Sequence, residues 1–186
     1  IRWRLASSFP KSLDTIFGSA ETLSRTVKAL SGGKFEVSVH AAGELMPAFG
    51  NVDALQNGTI EMGQTAPYYF TGKDSIFAFG CAVPFGLNAR QMDAWMEHGN
   101  GRKLMDAFYA KYNMKSFSAG NTTTQMGGWY RKEIKSVADL KGLKMRLGGG
   151  LFGETMAKLG VVAQNMPAGE VYQALEKGTL DATEFV

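Results

Sequence analysis

The sequence predicts an α/β protein built from two lobes. Segments with apolar residues at helical spacing alternate with short segments of alternating apolar and polar residues, an order typical of mostly parallel sheets flanked by helices. A motif, Ala-Leu-x-x-Gly-Thr followed by an aliphatic and an acidic residue, begins at Ala54 and again at Ala174. Either helix–glycine–strand joints have converged on one pattern, or two related lobes, residues 1–119 and 120–186, flank a ligand cleft.

The first lobe is predicted from clear periodicities. Apolar residues recur at helical spacing from Leu13 to Leu30, and the glycines that follow end this helix. Residues 35–39 alternate as a half-buried strand does. An aromatic and methionine stripe within residues 88–112 predicts one or two helices that face the core. The remaining predicted elements are strands at 2–8, 59–64 and 114–119 and a helix at 47–56.

The second lobe repeats this alternation. Ser136, with Asp139 three residues later, is typical of a helix start. Apolar and polar side chains alternate from Lys144 to Leu147, which predicts a strand. The other predicted elements are strands at 129–132 and 161–164, a last strand beginning near Thr179, and helices at about 152–159 and 169–177.

Composition and charge exclude other classes of protein. The net charge is only +3 and the basic residues are scattered, which argues against a nucleic-acid partner. The longest apolar stretch, residues 76–87, is too short and too interrupted by Gly and Pro for membrane insertion. A single cysteine, Cys81, excludes a disulfide framework and a cysteine-based metal cluster, and its apolar neighbours predict an inert buried thiol. No common catalytic motif is present, so we expect no enzyme.

Arg146 is the first candidate for ligand binding. It lies near the end of the predicted strand 144–147, and the three glycines 148–150 follow that strand. A guanidinium presents paired donors to a carboxylate, and glycines allow a ligand to approach the main chain; a solvated surface arginine is the alternative. The pattern Gly148-x-Gly150-x-x-Gly153 also permits a nicotinamide-binding enzyme, although the charged strand before it argues against one.

Two further segments contain candidate ligands. Residues 119–129 are uncharged and include Asn121 and Gln125, whose amide oxygens suit an alkali or alkaline-earth ion; a solvated turn is the alternative. Glu184 follows the last predicted strand, where α/β proteins bind ligands, although a solvated glutamate near the chain end fits equally well.

Ordered sequence blocks carry a family resemblance. They are Arg2-Trp3-Arg4, Ala66-Pro67-Tyr68-Tyr69, Ala82-Val83-Pro84-Phe85-Gly86-Leu87, Gly120-Asn121-Thr122, Gln125-Met126-Gly127-Gly128-Trp129, Leu140-Lys141-Gly142-Leu143-Lys144-Met145-Arg146 and Ala174-Leu175-Glu176-Lys177-Gly178-Thr179. With them, the chain resembles the solute-binding receptors of tripartite ATP-independent periplasmic (TRAP) transporters. The branch it most resembles binds 2-oxo or 2-hydroxy monocarboxylates together with a metal ion.

The resemblance implies roles for particular residues. Arg146 would hold the substrate carboxylate, and Asn121 and an aromatic of the pair Tyr68 and Tyr69 would complete the pocket. A metal ion, Na⁺ or Ca²⁺, would be held by Gln125, by Glu184 and by the main chain of Phe185. Phe185 stands where the family commonly has tryptophan, which alters the pocket wall but leaves a carbonyl ligand intact.

The resemblance also implies a setting. We expect a periplasmic receptor, present in processed form without its signal peptide, that delivers a small organic acid to TRAP membrane permease subunits as a monomer or a homodimer. Such receptors fold as two lobes that close on the ligand by hinge bending. Family members are about 300 residues long, near twice an ordinary domain, so lobe II is expected to be incomplete and the chain a fragment.

Overall fold

The protein consists of two compact units. A computed structural model describes residues 1–185. The first unit comprises Ile1–Ala66 and Ala89–Asn121. The second comprises Pro67–Asn88 and the described residues from Thr122 onward. Within residues 1–185, no helix combines the length and the apolar character that crossing a membrane requires.

The first unit contains a three-stranded parallel sheet in the order β2-β1-β3. Its elements are β1 (Arg2–Ser7), α1 (Asp14–Leu30), β2 (Glu36–His40), α2 (Asn51–Gln56), β3 (Met62–Gln64), α3 (Ala89–His98) and α4 (Gly101–Ala110). Because side chains along a strand point alternately to opposite faces, the central strand β1 contributes to two clusters. Leu5 packs with Ala20 on one of them, and Ala6 packs with Ala54 on the other.

Several elements of the first unit differ from the prediction. Helix α2 begins at Asn51 instead of residue 47, and residues 114–119 form no strand in the structure. Alternation alone predicted that strand, but a strand also needs a hydrogen-bonding neighbour. The predicted core stripe holds only in α4, where Met105 and Phe108 are buried, since α3 buries none of its side chains.

The second unit contains a four-stranded sheet in the order β4-β7-β5-β6. Its elements are β4 (Trp129–Tyr130), β5 (Lys144–Leu147), α5 (Gly150–Lys158), β6 (Val162–Asn165), α6 (Ala168–Glu176) and β7 (Ala182–Thr183). Strand β5 pairs in parallel with both β6 and β7, whereas β4 is antiparallel to β7. Met145 and Leu147 are fully buried in the core of this unit.

Residues 67–88 group with the second unit, although the sequence prediction places them in lobe I. They form two 3-10 turns, Pro67–Phe70 and Ser75–Gly80. Both turns contact helix α5 and each other, so tertiary contact places them with residues distant in sequence.

The repeated motif has the same local structure in both units. In each copy a helix ends, a glycine with left-handed backbone follows, and a strand begins shortly afterwards. The glycine φ is +68° at Gly58 and +72° at Gly178, where side chains other than hydrogen are disfavoured. The apolar residue of each motif, Ile60 or Leu180, is buried. The predicted helix end, glycine and strand start are thereby confirmed at both copies.

Candidate functional site

Arg146 is a buried arginine in the centre of the second sheet. It lies in β5, opposite Thr183 of β7 and Gln164 of β6, and its exposure is 1%. The neighbouring apolar residues of β5 occupy the core of the unit. The alternative of a solvated surface arginine is therefore wrong.

The guanidinium of Arg146 is held by main-chain oxygens. Its Nε donates to the carbonyl of Met166 at 3.0 Å, and its Nη1 donates to the carbonyl of Glu184 at 2.9 Å. The guanidinium carbon lies 4.9 Å from the centre of the Phe185 ring, a distance at which the cation and the aromatic face attract each other. These contacts fix the plane and the position of the guanidinium.

One nitrogen of this guanidinium is left over. Nη2 is buried and has no hydrogen-bond partner among residues 1–185. A buried donor of a charged group without an acceptor is costly. The site is therefore prepared for an acceptor supplied from outside the described residues, and a carboxylate oxygen is the acceptor that matches a guanidinium best.

Glu184 lies beside Arg146 and is also buried. Its Oε2 is 3.5 Å from Nη1 of Arg146, and its main-chain N–H donates to the carbonyl of Arg146 at 2.9 Å. Burial raises the pKa of the Glu184 carboxyl, while the charge of Arg146 and a hydrogen bond from the N–H of Gly148 oppose that rise. A carboxylate held in this way favours a second positive charge nearby.

Two tyrosines lie in the same unit, at the 3-10 turn 67–70. The rings of Tyr68 and Tyr69 meet edge to face with their centres 4.9 Å apart. Burial raises the pKa of both hydroxyls. For Tyr68, the charge of Glu184 adds to this rise in pKa and the charge of Arg146 opposes it. For Tyr69, the charge of Arg146 and side-chain hydrogen bonds with Arg146 and Tyr68 oppose the rise. Both phenols therefore lie within electrostatic reach of the Arg146 guanidinium and stay protonated at neutral pH.

The two amide residues of the predicted site, Asn121 and Gln125, are both exposed. Gln125 is exposed, and its Nε2 donates to Oγ1 of Thr122 at 2.9 Å. Asn121 is exposed and groups with the first unit. Their roles in binding stay predictions.

The residues of the predicted metal site are chemically suited to a hard cation. Glu184 offers a carboxylate, Phe185 a main-chain carbonyl and Gln125 an amide oxygen, all of which Na⁺ and Ca²⁺ accept. The buried carboxylate of Glu184 is the observation that fits a cation. Within residues 1–185, no cluster of three or more His, Cys, Asp or Glu side chains could hold a metal, so main-chain and amide oxygens would have to complete the set.

The glycine run has a structural role that does not fit a nicotinamide site. A Cβ placed on Gly148 would lie 2.6 Å from Cε2 of Tyr68, and one on Gly150 would lie 2.9 Å from Cβ of the same tyrosine. Tyr68 therefore occupies the space that a dinucleotide phosphate would need above the main chain of a glycine-rich turn. The nicotinamide alternative loses its structural basis.

Sequence reasoning missed the main-chain contributors to this site. The carbonyl of Met166 and the N–H of Gly148 both contact the charged pair. Every residue carries these groups, so no side-chain pattern identifies them. Only the register of β5 against its neighbours shows which main-chain groups reach Arg146.

Residues 6–186 match the family model of DctP, described as bacterial extracellular solute-binding protein, family 7. The chain belongs to this family. The predicted TRAP-receptor resemblance and α/β class are thereby confirmed, and the family is one of extracytoplasmic binding proteins rather than of enzymes. The nicotinamide-dependent enzyme finds no support among these relatives.

Three relatives define the neighbourhood. The chain is 50% identical to the monocarboxylate 2-oxoacid-binding periplasmic protein of Nostoc sp., over 100% of this chain and 50% of that protein. A TRAP transporter solute-binding protein from Bordetella bronchiseptica, with copurified calcium and picolinate, matches with a TM-score of 0.97 and 49% identity over 100% of this chain and 55% of that one. The TRAP periplasmic solute-binding protein from Pseudoalteromonas atlantica, with bound sodium and pyruvate, matches with a TM-score of 0.94 and 44% identity, over 100% of this chain and 56% of that one.

The chain spans about half the length of these relatives. The two solved structures contain picolinate with calcium and pyruvate with sodium. Both cations are hard ions that prefer oxygen ligands.

Proposed function

We propose that the protein is a periplasmic receptor of a TRAP transporter that binds a small 2-oxo or 2-hydroxy carboxylate together with Na⁺ or Ca²⁺. The observation that carries this proposal is the buried Nη2 of Arg146, which has no partner among residues 1–185. The named ligands of the relatives supply the class of acid.

Arg146 is suited to select the carboxylate end of the ligand. Its Nε and Nη1 are already engaged by main-chain carbonyls, so the guanidinium pays little further entropy when Nη2 meets a carboxylate oxygen. A buried charge-assisted hydrogen bond of this kind contributes about 1.5–3 kcal/mol. The ring of Phe185, whose centre lies 4.9 Å from the guanidinium carbon, would form an apolar wall of this contact.

The cation would be held by Glu184, by the carbonyl of Phe185 and by Gln125. When bound, the metal would neutralise charge and accept an electron pair from the 2-oxo or 2-hydroxy oxygen of the ligand. Glu184 is the anchor of this set, because its carboxylate is fixed by the N–H of Gly148 and by the charge of Arg146. A ligand without an oxygen at position 2 would satisfy Arg146 only.

The receptor works by a binding equilibrium, with no bond made or broken. Ligand contacts made only in one conformation shift the population toward that conformation. We infer that the liganded state is the one presented to the membrane permease of the transporter.

Calorimetric titration of the purified protein tests the proposal. Pyruvate is compared with propionate, which lacks the 2-oxo oxygen, in the presence of CaCl₂, of NaCl, or of a chelator in sodium-free buffer. We expect pyruvate to bind at 1:1 stoichiometry, propionate to bind at least about tenfold more weakly, and metal removal to weaken pyruvate.

A matched pair of variants locates the site. Arg146→Lys keeps the charge but loses the planar donor pair, and we expect affinity for pyruvate to fall at least about tenfold. Arg4→Lys is the control, because Arg4 is a solvent-exposed arginine paired with Glu61 in the first unit. Equal affinity in all three proteins, or equal binding of propionate and pyruvate, contradicts the proposal.

A further inference from the structure

The turn formed by Gly148, Gly149 and Gly150 connects the binding strand β5 to helix α5. Gly149 and Gly150 have left-handed backbone, with φ of +90° and +63°. Gly148 does not, so conformational freedom does not explain why it lacks a side chain. Its requirement for glycine comes from space.

Tyr68 fills that space. A Cβ on Gly148 would lie 2.6 Å from Cε2 of Tyr68 and 2.9 Å from both Cζ and the hydroxyl oxygen. Real Cβ atoms do not approach other atoms so closely, and the tyrosine ring would have to move. The main-chain carbonyl of Tyr68 also lies close to the turn, 3.3 Å from the Cβ position of Gly149. The turn and the aromatic ring are therefore shaped to each other.

The same turn also contacts the charged pair. The N–H of Gly148 donates to the carboxylate of Glu184, and Arg146 lies two residues earlier in the strand. One short segment thus carries the Tyr68 ring against its glycine face and the Glu184 carboxylate at its N–H. Displacing the ring displaces the edge-to-face contact of Tyr68 with Tyr69 as well.

We propose that Gly148 is a positioning residue of the binding site: by lacking a side chain it seats the Tyr68 ring as the wall beside Arg146 and Glu184. This inference rests on the proposed function, since it assigns the wall of that same site. Gly148 touches no ligand in this role. Its effect on binding passes through Tyr68.

A double-mutant cycle tests whether Gly148 acts through the Tyr68 ring; the contact between these two residues is called the seat below. Four proteins are compared by calorimetric titration with pyruvate and CaCl₂: unmutated, Gly148→Ala, Tyr68→Ala, and the double variant. Gly148→Ala is expected to weaken binding by about tenfold or more, because the added methyl group displaces the ring. In the Tyr68→Ala background the same substitution is expected to change affinity by less than about twofold, since the clash has been removed.

Gly153→Ala is the matched control. Gly153 lies in α5, the helix that follows this turn, and a Cβ there would meet nothing within 4 Å, so affinity for pyruvate should stay unchanged. An equal loss from Gly148→Ala with and without the Tyr68 ring would overturn the proposal. Unchanged affinity in Gly148→Ala, with Tyr68 still present, would also overturn it.

The same cycle in ligand-free protein separates this inference from the proposed function. The urea midpoint should fall when Gly148→Ala is made in the presence of Tyr68 and change little when Gly148→Ala is added to Tyr68→Ala. If the cycle shows this coupling but the unmutated protein binds no pyruvate, the contact between Tyr68 and Gly148 is established, whereas the receptor function and the positioning role are refuted. Pyruvate binding without coupling between residues 68 and 148 would refute only the seat.

Discussion

The two sheets end in different chemistry. At the carboxyl ends of β1 and β3, neutral side chains bond to one another: Ser7 donates to Gln64, Ser8 donates to Thr65, and Asn51 donates to Ser8. At the end of β5, a buried guanidinium faces a buried carboxylate. The neutral polar side chains at the end of the first sheet thus mostly hydrogen-bond to one another. At the end of the second sheet, Nη2 of Arg146 is a donor without a partner among residues 1–185.

Each end has one orphaned polar atom, and the two atoms differ in consequence. Oδ1 of Asn51 and Nη2 of Arg146 are both buried without a partner among the described residues. A neutral carbonyl oxygen is satisfied by a single buried water. A guanidinium carries a full charge, so an anion stabilises it far more than water does. The comparison teaches that charge, rather than an unpaired atom alone, marks the ligand site.

Removing the arginine should have the largest effect. Arg146→Met leaves Glu184 buried without its cation, and we expect a loss of about 3–5 kcal/mol in the free energy of unfolding, together with loss of pyruvate binding. Urea denaturation followed by circular dichroism measures the first and calorimetry the second. The double variant Arg146→Met with Glu184→Gln should regain part of the stability but no binding. A stable single variant would contradict the paired burial.

A charge placed at the neutral end should destabilise without touching the ligand. In the unmutated protein, Nδ2 of Asn51 donates to the carbonyl of Gln64. Asn51→Asp replaces this donor with a carboxylate, so we expect the free energy of unfolding to fall by at least about 2 kcal/mol. Pyruvate affinity per folded molecule should stay within about twofold. Loss of affinity with unchanged stability would show that the neutral end also serves binding.

The repeated glycines should respond alike. Gly58→Ala and Gly178→Ala each force a left-handed residue to carry a Cβ, which costs about 1 kcal/mol. Neither Cβ would meet another atom within 4 Å, so the cost is conformational and equal in the two units. Urea midpoints measure it. A clear inequality would show that the two copies differ beyond their local geometry.

The smallest expected effect concerns Glu61, the acidic residue of the first motif copy. Hydrogen bonds from the side chain and the N–H of Arg4 lower its pKa to about 2. A carboxyl whose pKa is lowered by folding stabilises the protein above its unfolded pKa and loses that contribution as the pH falls. Stability should therefore decline from about pH 4.5 toward pH 2, and less steeply in Glu61→Gln. Parallel declines in the two proteins would contradict this role.

Much of the local secondary structure of both units could be predicted from the sequence. Helix α1, the strand at Lys144–Leu147 and the capping box at Ser136 and Asp139 were all expected, and the structure contains them. The motif copies even use their acidic residues in the same way: Glu61 accepts from the N–H of Arg4, and Asp181 accepts from the N–H of Lys144. The helix, the strand and the capping box follow from short-range periodicity and capping, whereas these two hydrogen bonds join residues 57 and 37 positions apart and are shown only by the structure.

Boundaries and partners were less accessible. The strand predicted at residues 114–119 has no counterpart in the structure, and the predicted core face of α3 is not buried. Both depend on neighbours that lie far away in the chain. Gln125 was expected beside Glu184, but its described hydrogen bond is to Thr122, so its place in a metal site stays a prediction.

The sequence by itself determined the α/β alternation, the repeated joints and the family blocks, because these are written in residues close together along the chain. Only the tertiary structure decided that Arg146 is buried, that one of its nitrogens is unpaired, and that Tyr68 lies against Gly148. Burial and hydrogen bonding depend on which distant segments meet. An arginine in a sequence is the same residue whether water or a protein core surrounds its guanidinium.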